Sequence, residues 1–135
     1  SFIGEGCIID VRNQPVIKLE KEFEAIIKKG CILLLYTGLN HKFGTEEYFN
    51  NHPVVDMEFA EFMIERKIKI LGMDTPSPDK PPFTVHRLLL KNKIFILENL
   101  TNMESLLEAE KFEVIALPLK IKADSSISRV VAKLI

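Results

Sequence analysis

The chain has 135 residues, 47% hydrophobic and 27% charged, a length and composition that suit one globular domain with a core needing no staples. Eighteen basic residues against nineteen acidic ones give a net charge of −1. No block of like charge forms the basic stripe of a nucleic-acid binder, and the longest apolar runs, such as 32–35 and 114–117, are too short for a membrane-spanning helix. Cys7 and Cys31 sit in apolar stretches without metal-ligand spacing, as expected of buried free thiols in a reducing compartment. With no signal-peptide pattern, the expected location is cytoplasmic.

In chain order, Gly6 to Val11 is a β-branched apolar run and predicts a buried strand. The chain reaches it from Ser-Phe-Ile-Gly without an initiator Met, so an N-terminus that starts in mid-protein is expected. Leu19, Phe23, Ile26 and Ile27 follow helical spacing, with Glu20 and Glu22 in front, Lys28 and Lys29 behind, and Gly30 placed as a C-terminal cap. Cys31 to Thr37 predicts a second buried strand, followed by a loop with Gly38 and Gly44 and a short acidic segment at 45–50. Asp56 is placed to cap a helix through Arg66, in which Phe59 and Met63 stack one turn apart.

Ile68 to Asp74 predicts a third strand, and the stretch TPSPDKPP that follows holds four prolines, which rule out regular structure and make a stiff loop. Such a loop at the carboxyl end of a strand is where α/β proteins place ligand-facing groups. Thr84 is placed to cap a short helix, 85–91. Strands follow at 94–97, 114–120 and 128–134, with a short helix near 103–107. Strands alternating with helices predict an α/β fold in a single domain, residues 1–135. The short ADSS turn between the last two strands predicts a mixed sheet.

His86 and Glu98 are the candidate site. In the first turn of a helix the dipole disfavours a positive imidazolium, which leaves His86 in its neutral, metal-binding form. A carboxylate at the end of a buried strand needs a cation or several donors nearby. Imidazole and carboxylate are a usual ligand pair for zinc or manganese. The residues alone favour a hydrogen-bonded histidine and a glutamate that caps backbone amides. Two ligands are also fewer than the three or four zinc takes. His41, in a glycine-flanked loop, and His52, before Pro53, are expected at the surface. Asp74 and Asp79 bracket the proline loop, and Asp74 is placed either to bond loop amides or to face a pocket. Ser77 has no histidine in a nucleophile-elbow context, which argues against a Ser-His-Asp hydrolase.

LLLYTGLNHKFGTEEYFNNHP, LGMDTPSPD, FTVHRLLL, ILENLTN and VIALPLKIK, in this order, resemble the Putative cyclase family of metal-dependent hydrolases, which includes bacterial kynurenine formamidase and isatin hydrolase. The resemblance runs from about Ile3 to Leu134 and is most specific from Asp74 to Asn102. It implies a swivelling β/β/α (cyclase-like) domain. It also implies that His86 and Glu98 are metal ligands, and that Asp74, Thr75 and Ser77 belong to a loop near a substrate pocket. The family's other ligands and its catalytic histidine come from a motif HxGTHxDxPxH ahead of the segment matching FIGEGCIIDVR. Nothing in this chain fits that motif, so no catalytic residue is expected here, and the domain is expected to be incomplete at its N-terminus.

The function so implied is hydrolysis of a small amide, an N-formyl amine or a cyclic imide by water activated on a divalent metal, zinc or manganese. The rival expectation is a non-catalytic, truncated or split module kept for its fold or assembly. The partners expected are the small-molecule amide and a second copy of the chain, because the first strand, lacking a neighbour, would leave an edge prone to pairing. No nucleic acid or membrane is expected.

Overall fold

The computed structural model describes residues 2–135. In chain order the strands are β1 (Ile3–Asp10), β2 (Val16–Ile17), β3 (Ile32–Tyr36), β4 (Val54–Val55), β5 (Ile70–Met73), β6 (Phe95–Leu97), β7 (Phe112–Pro118) and β8 (Ser128–Leu134). The α-helices are α1 (Lys21–Ile26), α2 (Glu46–Asn50), α3 (Met57–Glu65) and α4 (Thr84–Lys91). Single 3₁₀ turns span Leu39–Lys42 and Met103–Leu106.

Six strands form one mixed sheet in the order β6-β5-β3-β1-β7-β8. β1, β3, β5 and β6 run parallel, with Cys7 opposite Leu33, Leu33 opposite Leu71, and Leu71 opposite Ile96. β7 and β8 join antiparallel on the other side of β1. The parallel strands are near-continuous apolar runs because both of their faces are covered. One face packs under α1, α3 and α4 through Cys7, Ile9, Leu33, Leu35, Phe59, Met63, Leu71 and Leu89. Phe23 of α1 stacks on Phe59 of α3 at 5.9 Å between ring centres. The other face buries Ile32, Leu34, Tyr36 and Ile70 with Met103, Leu106, Phe112 and Val114.

The predicted mixed sheet and α/β class hold. The edge expected at the first strand does not exist, because β1 lies between β3 and β7 and is paired on both sides. The antiparallel return of β7, 110 residues later, is the long-range pairing that local sequence does not encode. α1 ends at Ile26, with Ile27 as its C-cap, so Gly30 is not the cap predicted. Its left-handed φ of +75° instead turns the chain into β3 while its N–H donates to the Arg66 carbonyl. Asp56 does cap α3, accepting from the Phe59 N–H at 2.9 Å. β2 and β4 pair in a two-residue parallel sheet that is too short to leave a periodic signal. Both cysteines are buried and free. No helix among the described residues is long and apolar enough to cross a membrane.

Candidate functional site

β5 and β6 run parallel, so the residues that leave their carboxyl ends emerge side by side. The proline loop leaves β5 at Asp74, and Glu98 directly follows β6 at Leu97. α4 then returns over this end of the sheet and sets His86 beside both. These segments line a cleft of about 490 Å³ whose walls include Phe49, His52, Ser77, Asp79, Phe83, His86 and Glu98.

The start of α4 differs from the sequence expectation in an instructive way. The N-cap is Phe83, in the left-handed region at φ +59°, and Thr84 is already the first helical residue, so Thr84 caps nothing. The cap comes from outside the helix. The Asp79 carboxylate accepts the His86 N–H through Oδ2 at 3.0 Å, placing negative charge at the positive end of the helix. Ser77 holds Asp79 in turn, its hydroxyl lying 3.4 Å from Asp79 Oδ1 and accepting the Asp79 N–H at 3.3 Å.

His86 Nδ1 is sealed from solvent and has no hydrogen-bond partner. It lies 3.8 Å from Asp79 Oδ1 and 3.9 Å from Glu98 Oε1, too far for a hydrogen bond to either. A buried ring nitrogen left unpaired between two carboxylates is costly unless something joins them. Burial pushes the Glu98 carboxyl above the usual range; the nearby His86 ring opposes that shift and the Asp79 charge adds to it. The donor set of one imidazole nitrogen and carboxylate oxygens fits a divalent cation. Among the described residues no group of three or more His, Cys, Asp and Glu is arranged to hold a metal ion.

The backbone beside Glu98 is tightly held. Asn99 takes a left-handed φ of +58°, donates its N–H to the Thr75 carbonyl at 2.9 Å, and accepts the Tyr48 hydroxyl at 2.6 Å. Burial, with the charges of Asp74 and Glu98, pushes the Tyr48 phenol up to about 12, so it stays a donor.

The other predicted residues are divided between cleft and core. Ser77 lines the cleft. Asp74 is fully buried and accepts from Thr37 N–H, Thr37 Oγ1 and Gly38 N–H at 2.7–2.9 Å, tying β5 to the turn after β3. Thr75 is also fully buried, its hydroxyl donating to the Ser77 carbonyl at 3.0 Å. His41 is exposed, 3.9 Å from Glu104. His52 is not at the surface as expected: it is only 6% exposed and lines the cleft. Asp79 and His52 are the cleft residues that sequence reasoning missed. Asp79 precedes His86 by seven residues, but the two prolines between them break the helix in which that spacing would flag it. The pairing of His52 with Pro53 looks like a plain turn.

A family model described as Putative cyclase matches residues 1–80. The chain is 33% identical to the kynurenine formamidase of Bacillus cereus over 98% of its own length. The chain belongs to this family. It is also 38% identical, over 74% of its length, to an uncharacterized protein of Methanocaldococcus jannaschii. Isatin hydrolase A from Labrenzia aggregata superposes with a TM-score of 0.81 at 26% identity, covering 97% of this chain and 60% of that one. A potential metal-dependent hydrolase with cyclase activity shares the fold alone, with a TM-score of 0.80 at 18% identity over 96% of this chain and 64% of that one. The swivelling α/β architecture is thus that of the cyclase-like proteins. The chain spans 63% of the kynurenine formamidase and 52% of the Methanocaldococcus protein.

Proposed function

We propose that this chain carries part of the metal centre of a hydrolase that cleaves a small amide, an N-formyl amine or a cyclic imide. The observation that carries the reading is the buried, unpartnered Nδ1 of His86 held between the carboxylates of Asp79 and Glu98. Kinship with kynurenine formamidases and an isatin hydrolase supports the reaction class. A bound divalent cation, zinc or manganese, would supply Lewis acidity and an activated water.

The chain's own residues do the holding. His86 gives Nδ1, Glu98 gives Oε1, and Asp79 orients His86 by gripping its backbone N–H. Zinc takes three or four protein ligands, so a complete set would need groups beyond these two side chains. The proline loop shapes one wall of the cleft, with Ser77 facing in.

The test is metal content. His86→Ala and Glu98→Ala are each expected to lower zinc or manganese affinity by tenfold or more, read by equilibrium dialysis with elemental analysis. Wild-type metal content in both variants would overturn the reading.

A further inference from the structure

His52 lies in the turn between α2 and β4. Its ring is 6% exposed yet lines the cleft opposite the proline loop. Nδ1 lies 3.1 Å from the carbonyl of Pro53. A carbonyl oxygen only accepts, so Nδ1 must carry the proton, and a neutral imidazole protonated at Nδ1 presents a bare lone pair at Nε2. Burial pushes the His52 pKa down, and the charge of Lys80 acts in the same direction, which supports the neutral ring. Nε2 has no hydrogen-bond partner among the described residues, and it is not one of the unpaired polar atoms sealed from solvent. It therefore keeps some contact with solvent, on a residue that lines the cleft. The imidazole is fixed by its own backbone, and its one free polar atom is an acceptor.

A fixed acceptor in a cleft selects ligands that bring a donor. A secondary amide, such as a formanilide, or an unsubstituted imide carries one N–H on the nitrogen of the bond to be cleaved; its N-alkylated analogue carries none. We propose that His52 is a specificity-determining residue whose Nε2 accepts the substrate's N–H, favouring amides and imides that carry an N–H on the nitrogen to be cleaved. The inference rests on the amide-hydrolase reading for the class of ligand. The exposed rings of Phe49 and Phe83 in the same cleft make a ring-bearing probe suitable. A site built to pair with a substrate donor discriminates against the analogue that lacks it, because the buried acceptor is then left unsatisfied.

The test uses phthalimide and N-methylphthalimide, followed by long-range proton–nitrogen NMR of the histidine rings and by titration calorimetry. Free His52 is expected to show a protonated Nδ1 and an unprotonated Nε2. Phthalimide is expected to shift the Nε2 resonance and to bind about tenfold more tightly than N-methylphthalimide. His52→Leu is expected to bring the two affinities within about twofold of each other. Equal binding of the two probes by the wild type, binding of neither, a ring protonated at Nε2, or selectivity retained in His52→Leu would each overturn the proposal. The tautomer is read on the wild type and does not depend on the variant folding. Loss of the hydrolase reading would show separately, as wild-type metal content in the His86 and Glu98 variants with probe selectivity intact.

Discussion

Glu98 shows how a single residue can be held at a cost to the fold. Burial raises its pKa, so its ionised form is disfavoured in the folded chain relative to the unfolded one, where a glutamate titrates near about 4.3. A group raised on folding contributes stability below its unfolded pKa and loses that contribution as pH rises through its folded pKa. Relative to a neutral side chain, Glu98 in the metal-free chain is therefore without effect below about pH 4 and penalises the fold at neutral pH. Glu98→Gln cannot ionise and removes the penalty. In chelator, the variant is expected to melt above the wild type at pH 7 and close to it at pH 4. With a saturating divalent cation the order at pH 7 is expected to reverse, because only the carboxylate is a good ligand. Thermal melts at the two pH values, with and without metal, check this; a wild type as stable as the variant at pH 7 in chelator would refute it.

At the scale of the element, α4 depends on a cap it does not own. Its N-cap side chain makes no capping bond, and the Asp79 carboxylate replaces it. Asp79→Ala is expected to cost about 1 kcal/mol, the usual worth of a lost cap. It should also speed amide exchange at His86 selectively over the last turn of the helix. Uniform exchange along α4 would show that the cap is not what holds its start. β1 poses a different constraint. A Cβ on Gly6 would lie 2.0 Å from the ring of Phe112, which β7 brings back across it. Gly6→Ala must displace a buried ring, and overpacking of this kind costs about 1–3 kcal/mol. Urea unfolding checks it, and an unchanged midpoint would mean the ring moves freely.

These two elements also mark how far the sequence could be read. The apolar runs of β1, β3, β5 and β8 and the cap at Asp56 were legible because periodicity and capping are local signals. The glycine at position 6 could not be explained locally, since its reason is a phenylalanine 106 residues away. The pairing of His86 with Glu98 followed from a helix and a returning strand plus the family resemblance. Asp79 and His52 escaped because each works through a backbone group, an N–H in one case and a carbonyl in the other, and such partners leave no mark on residue type. Bonding to loop amides was one of two open alternatives for Asp74, and its three donors from the turn after β3 decide for it.

At the scale of the whole molecule, the site draws its side chains from three separate segments of the chain. Glu98 follows β6, an outer strand of only three residues; His86 sits on α4, and Asp79 on the proline loop. An ion held by groups from these segments binds only when all are in place, so metal binding is linked to folding. A ligand that binds only the folded state adds stability of RT ln(1 + [L]/Kd), about 2.7 kcal/mol at a hundredfold excess over Kd. The wild-type melting temperature is therefore expected to rise with zinc or manganese concentration, continuing to climb past saturation as the logarithm of free metal. His86→Ala is expected to flatten that rise, while His52→Leu, which touches neither proposed ligand, should preserve it. A Tm independent of metal in the wild type would mean that the cleft residues bind no ion tightly enough to matter, and would count against the proposed metal centre.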